Sequence, residues 1–368
     1  MTGGKYHRSL IAAALVAALP LAAQQTPVFR AGTALVLVPF HVARDNSYVA
    51  NLKAEDVILL EDGAPRSFTF FEFGGSAKRK TPVDLVLLFD YSCSLLQTGM
   101  FDPLVFKSGL LDGLDNVRLA VYGFGTELRR YCRPTRDMAV FDPALRALVQ
   151  RRPVNPIKLE LPPKRKGTPD TWLYEAVIGA ARDAMPQPDV QSTVTFHTAP
   201  ESVRESVVSQ GSVMMMVFSD GIPTTTSVPE DAVIVCQRLG VPVYPVVLCY
   251  DVLLGQIKQV QETGRDRQGN LTDAANARMM ELRATQRHIQ DFARLGELTG
   301  GRSFDSPQLS LNVMRQILGF MVGQVRNQYL AGFVPEKPAG PQRQHKLEVR
   351  LVDKRLGKVL GGTRTVVH

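Results

Sequence analysis

Three stretches of the chain, Val83 to Phe89, Val213 to Phe218 and Val241 to Leu248, are apolar almost without interruption. Runs of this length without polar alternation predict strands buried on both faces of a parallel sheet. Val117 to Gly125 predicts a fourth strand, continuing through Thr126 to Tyr131 as a hairpin. Between these runs the apolar spacing changes to the helical period over Asp142 to Val149, Thr171 to Met185 and Glu230 to Leu239. Met314, Ile317, Leu318, Met321, Val322 and Val325 also recur at helical spacing, which lays one face of that helix on the sheet. Strand and helix in alternation predict a doubly wound, Rossmann-like α/β unit with a central, mostly parallel sheet.

The two ends of the chain read differently. Ala34 to Val42, Val57 to Leu60 and Arg66 to Phe73 alternate as strands, broken by turn signals at Asp45-Asn46 and Asp62-Gly63. After Gln328 the same texture returns over Tyr329 to Val334, Lys346 to Val352 and Lys358 to Val367. Together they predict a small β module drawn from the N- and C-terminal segments. The division expected is an N-terminal β segment and linker at 24–80, the α/β domain at 81–334 and a C-terminal β segment at 335–368. Stretches near 152–168, 186–210 and 253–289 fit neither period and read as surface insertions, the last partly helical from Asp273 onward.

Ahead of all this stand Lys5, His7 and Arg8, then an uncharged apolar stretch from Ser9 to Ala23. This pattern predicts a secretory signal peptide at residues 1–23, cleaved after Ala23, and a secreted or periplasmic, cell-envelope location. The stretch is shorter than the roughly 20 apolar residues needed to cross a bilayer. Nothing downstream approaches a span, so no membrane span is expected after cleavage.

Composition narrows the function classes. Hydrophobic residues at 45% and charged residues at 21% supply a core and exclude wholesale disorder. The net charge of +8 is scattered, and its densest runs, Lys78-Arg79-Lys80 and Lys164-Arg165-Lys166, fall in a linker and a Pro-rich loop. With no basic stripe interleaved with aromatics, no nucleic-acid partner is expected. Cys93, Cys132, Cys236 and Cys249 form no C-x-x-C pair, which argues against zinc. A Cys236–Cys249 disulfide and buried free thiols both remain open.

The chemistry concentrates at two strand ends. Leu87-Leu88-Phe89-Asp90-Tyr91-Ser92-Cys93-Ser94 puts an Asp at the carboxyl end of a buried strand, with two hydroxyls following at alternate positions, a D-x-S-x-S string. Val213 to Ser219, then Asp220-Gly221, puts a second Asp at the end of another. In a doubly wound sheet such loops converge where strand order reverses. Hydroxyl and carboxylate oxygens in this number suit a hard divalent cation with octahedral demands.

These segments resemble the von Willebrand factor type A family, and within it the bacterial secreted subfamily. D-x-S-x-S after an apolar strand resembles the family's metal-site signature, and Val217-Phe218-Ser219-Asp220-Gly221 its S-D-G segment. Thr171-Trp172-Leu173-Tyr174-Glu175-Ala176 resembles its T-x-L-Y-D-A helix start. Leu52 to Val57 with Leu60 to Gly63, Leu298 to Arg302 and Gln328 to Phe333 resemble flanking segments of the subfamily, in the same order. The resemblance implies a metal-ion-dependent adhesion site. Ser92, Ser94 and Thr171 would offer hydroxyls, and Asp90 and Asp220 carboxylates acting directly or through water. The ion implied is Mg²⁺, with Mn²⁺ or Ca²⁺ as alternatives, and its shell would be completed by an Asp or Glu of a protein partner. Where the family has Gly-Gly before its Thr, this chain has Pro169-Asp170, and Thr168 follows Gly167, so Thr168 stands as the alternative to Thr171. Cys93 is unusual in such a loop; thiolate is too soft for Mg²⁺, so it is expected to point into the domain.

A non-enzymatic binding protein is therefore expected, weighed against four rivals. A haloacid-dehalogenase-like hydrolase needs a second Asp two residues after the first, where this chain has Ser92. Gly123-Phe124-Gly125 lacks the third glycine of a dinucleotide site, and His197 and His288 sit in insertions, far from a serine-hydrolase arrangement. A metal-free envelope scaffold of the same fold predicts no metal dependence of binding.

Overall fold

The computed structural model describes residues 36–45, 47–75, 81–91, 99–150, 156–159, 172–185, 212–224, 228–248, 250–305, 309–333 and 344–367. The expected signal peptide and the 186–210 insertion lie outside them. The chain begins with β1 (Val36–Arg44), β2 (Ser47–Tyr48), β3 (Val57–Glu61), β4 (Ala64–Arg66) and β5 (Phe70–Phe73). Next come β6 (Val83–Asp90), α1 (Pro103–Phe106), β7 (Val117–Phe124), β8 (Leu128–Thr135), α2 (Met138–Val149), β9 (Ile157–Leu159) and α3 (Leu173–Ala184). They are followed by β10 (Ser212–Ser219), α4 (Pro229–Leu239), β11 (Val243–Val247), α5 (Tyr250–Thr263), α6 (Asp273–Thr299) and α7 (Leu311–Asn327). The chain closes with β12 (Tyr329–Phe333), β13 (Gln344–Leu351), β14 (Lys358–Gly361) and β15 (Thr363–Val367).

The central sheet runs β11-β10-β6-β7-β8-β9. Its first four strands are parallel, and β8 and β9 are antiparallel additions at one edge. Every residue of β6 and β10 is buried, which is why these strands read as near-continuous apolar runs, interrupted only by Asp84 in β6. Alternate side chains feed two cores. Leu85, Leu87, Phe89, Met214, Met216 and Phe218 face α1, α2 and α7, whereas Val86, Leu88, Met215 and Val217 face α3, α4 and α6. The chain is thus an α/β protein with helices on both faces of a mostly parallel sheet.

Both chain ends build one β module, as the sequence predicts. One of its sheets runs β14-β1-β12-β5, with β2 paired to β1, and the other runs β15-β13-β3-β4. Val38, Phe40, Val42, Leu59, Tyr329, Leu347 and Val349 fill the space between them. β12 pairs with β1 and β5, so residues 329–333 lie in the module with the other terminal strands, although the division at 334 counts them with the α/β domain. The predicted strand Lys358 to Val367 divides at Gly361-Gly362, where the chain crosses from the first sheet to the second.

A polar seam joins module to sheet. Ser212 Oγ donates to Gln328 Oε1 at 3.0 Å, and the Tyr244 hydroxyl donates to Gln324 Oε1 at 3.2 Å. The Gln324 amide reaches on to the Tyr48 hydroxyl.

Two segments differ from expectation. Residues 253–289, read as a surface insertion, belong to α5 and α6, and Leu253, Leu282, Ile289 and Phe292 are buried in the second core. The buried stripe is narrow, so exposed polar residues dilute the helical period over this stretch. Within 152–168, Ile157–Leu159 forms β9 at the sheet edge, paired with β8.

Candidate functional site

Strand order reverses between β6 and β10, which are adjacent although the chain visits β7, β8 and β9 between them. In open α/β sheets ligands bind outside the carboxyl ends of the strands at this kind of switch point. The parallel register sets Phe218 beside Phe89, so the next residues, Ser219 and Asp90, meet at the strand ends. Asp90 is fully buried, and Ser219 Oγ donates to Asp90 Oδ2 at 2.8 Å. The Gly221 amide in turn donates to Ser219 Oγ at 3.1 Å, which turns the chain back over the strand end. Asp220 begins that turn, with Oδ1 accepting from the Ile222 amide at 3.0 Å. Burial raises the Asp220 carboxyl to about 6; the negative charge of Asp90 adds to the rise, and the Ile222 hydrogen bond opposes it.

Aromatic packing holds this platform from the opposite face of the sheet. The Phe89 and Phe218 rings stack at 4.6 Å, and Phe101 stands edge-on to both. Gly221 is fixed by close approach as well as by its φ of +78°: a Cβ there would lie 2.9 Å from Phe292 Cδ1 on α6.

The neighbouring strand contributes two features that the sequence reading missed. The Tyr91 amide donates to Phe124 O at 2.8 Å, and the Tyr91 ring lies across Gly123, where a Cβ would come within 2.6 Å of Cζ. Gly123-Phe124-Gly125, weighed above as a fragment of a dinucleotide motif, is thus room for a tyrosine, whose hydroxyl shares a short hydrogen bond with that of Tyr131. The other is the seating of α3. The Trp172 amide donates to Gly125 O at 3.1 Å, so the helix starts at the carboxyl edge of β7. Farther along, Asp183 is held by Arg130 at 2.7 Å and by the Tyr122 hydroxyl at 2.8 Å, a paired charge that clamps α3 to β7 and β8.

Of the five residues that the resemblance assigns to a metal, Asp90 and Asp220 come together at the switch point. Ser92, Ser94 and Thr171, with the alternative Thr168 and with Cys93, lie outside the described residues. Ser219 is an addition, since only the register reveals it as Asp90's partner. Among the described residues no group of three or more His, Cys, Asp and Glu side chains is placed to hold a metal ion. The donor set at the switch point is of another kind, two carboxylates and a hydroxyl, all oxygen. A hard divalent cation fits it chemically, because it would relieve the repulsion between Asp90 and Asp220.

Cys132 and Cys236 are buried free thiols, so Cys236 is not in the disulfide with Cys249 considered above; Cys249 lies outside the described residues. No helix among the described residues is long and apolar enough to cross a membrane.

No family model matches the sequence, and no curated protein matches it either. Among solved structures the chain is similar to the conserved hypothetical protein BatB from Bacteroides thetaiotaomicron, at 15% identity, covering 66% of this chain and 99% of that one with a TM-score of 0.36. It is similar to proximal thread matrix protein 1 of the mussel byssus, solved with a zinc occupied MIDAS motif, at 12% identity, 70% and 48% coverage and a TM-score of 0.35. It is also similar to manganese-loaded TRAP protein of Plasmodium vivax, at 11% identity, 84% and 98% coverage and a TM-score of 0.30. The fold assignment rests on the strand order and registers described above: a doubly wound α/β sheet whose reversal point carries Asp90 and Asp220, joined to a β module made from both ends of the chain.

Proposed function

We propose that the chain is a non-enzymatic, secreted or envelope protein that binds a partner protein through a divalent cation at the carboxyl ends of β6 and β10. The observation that carries this reading is the meeting of Asp90 and Asp220, from segments far apart in the chain, where the strand order of the central sheet reverses. Asp90 and Asp220 would hold the ion, Mg²⁺ first, with Ser92, Ser94 and Thr171 as the hydroxyl donors that the family resemblance implies. The bound ion would supply an electrophilic centre for a carboxylate. What this chain's own residues supply is order: Ser219 orients Asp90, and the turn at Gly221 orients Asp220. With neutral hydroxyls rather than further carboxylates filling the remaining places, no negative charge beyond that of the two aspartates is set against the ion, and it keeps its pull on an Asp or Glu oxygen from outside.

The reading is tested by capture. The immobilised protein, exposed to an extract of the parent cell envelope, should retain a partner in Mg²⁺, release it in chelator, and lose it when Asp90 is changed to Asn. Retention that ignores both chelator and Asp90→Asn would favour the metal-free scaffold, and turnover of a phosphate ester dependent on Asp90 would favour the hydrolase.

A further inference from the structure

The 27 residues of α6 make a helix about 40 Å long, much longer than the strands it covers. Its end is fixed at the amino edge of the sheet, where Thr299 Oγ1 accepts from the Val243 amide at 2.9 Å. Its middle is fixed at the carboxyl edge, where Ile289 and Phe292 receive the Gly221 turn. The preceding residues, 273–288, therefore run on past the cation site by about 24 Å. α5 packs beside α6, and a short tip with an Arg265–Leu271 bridge joins the two.

The face of α6 turned away from the core carries Arg283, Arg287 and Arg294, all exposed. At 3.6 residues per turn they fall on one stripe about 16 Å long. Met280, 72% exposed, and Leu298, 44% exposed, stand at its two ends. None of the three arginines makes an ion pair or side-chain hydrogen bond among the described residues, whereas Arg278 on the same helix pairs with Glu281 at 2.8 Å. Of the remaining acidic residues nearby, Asp291 lies close enough to Tyr174 on α3 to add to the rise that burial imposes on its hydroxyl, and Glu297 lies at the flank of the stripe.

We propose that this stripe is a docking surface for an acidic segment of a protein partner, the same partner whose carboxylate completes the cation site. The inference rests on the partner-binding reading above and gives that partner a second property, a run of acidic residues beside the one that meets the ion. Unpaired guanidinium groups flanked by exposed apolar side chains suit an acidic, amphipathic segment. A single-stranded nucleic acid would be met by broad aromatic platforms, and Phe292, the one Phe, Tyr or Trp of α6, is buried.

The test uses the full chain with synthetic oligo-glutamate as probe, in chelator, so that no cation contributes. The variant Arg283→Gln/Arg287→Gln/Arg294→Gln should bind about tenfold more weakly, as expected for the loss of three exposed ion pairs. The variant Arg133→Gln/Arg182→Gln/Arg315→Gln removes the same charge elsewhere on the surface and should bind as the parent does. Thermal melts of both variants should match the parent, since all six side chains are exposed. Equal binding by parent and stripe variant, equal loss in both variants, or tighter binding of single-stranded oligothymidylate than of oligo-glutamate would each overturn the proposal. The cation reading is scored separately, by the increment in affinity on adding Mg²⁺ and its loss in Asp90→Asn. If that increment is missing while the stripe variant still binds weakly, the cation reading fails and the stripe stands.

Discussion

Asp220 releases its proton at about pH 6 in the folded chain, against about 3.9 for an unstructured aspartate. The sign follows directly. The folded state holds the proton more tightly, so stability contributed by this group is highest below pH 4 and is lost as pH rises through 6. The loss amounts to about 1–3 kcal/mol at neutral pH. Asp220→Asn keeps the oxygen that accepts from Ile222 and removes the charge. In chelator at pH 7.5 its melting temperature should exceed the parent's, the gap should close below pH 4, and saturating Mg²⁺ should reverse the order; a parent that melts higher in chelator at pH 7.5 would contradict the arrangement. The thiols give a second check. Burial pushes Cys236 up to about 12 and Cys132 up to about 11, so neither should react with iodoacetamide in the native protein. Peptide mapping should find both labelled only after denaturation. At this scale Asp90 and Asp220 were legible because strand-end aspartates stand out against apolar runs. Ser219 as Asp90's partner was not, because the hydrogen bond joins residues 129 positions apart and depends on the register of two strands.

Strands were the most legible elements, since burial on both faces leaves Asp84 as the one polar residue inside the apolar runs of β6 and β10. The helices of residues 250–299 were least legible. Met279, Leu282, Ile289, Phe292 and Leu295 are buried on α6, but the exposed arginines and glutamines around them make its average character polar. α6 nonetheless braces the site through Gly221. Gly221→Ala places a Cβ against Phe292 at a left-handed φ and should destabilise the fold by about 1–3 kcal/mol in urea titration. It should also weaken Mg²⁺ binding, because the turn that carries Asp220 shifts. A variant with parental stability and affinity would show that the contact is slack.

Over the whole molecule, the two-ended β module makes the α/β sheet a guest between halves of another unit. β1 pairs with β14 and β3 with β13, so removing residues 335–368 strips partners from both N-terminal strands. Limited proteolysis of that truncated chain should cut within residues 36–66 well before it cuts β6 or β10. Equal resistance of both regions would mean that the N-terminal strands are held by something other than the C-terminus. The module was legible as two sets of strands with one texture, β12 among them, while the point where the α/β domain ends was not, because a short apolar strand reads alike in either unit. The central claim is that the switch point between β6 and β10 holds a divalent cation, and calorimetric titration of Mg²⁺ into the chelator-treated protein tests it most directly. The account predicts saturable binding by the parent and its loss in Asp90→Asn, whose fold is verified by circular dichroism. Absence of Mg²⁺ and Mn²⁺ binding by the parent, or undiminished binding by Asp90→Asn, would contradict it.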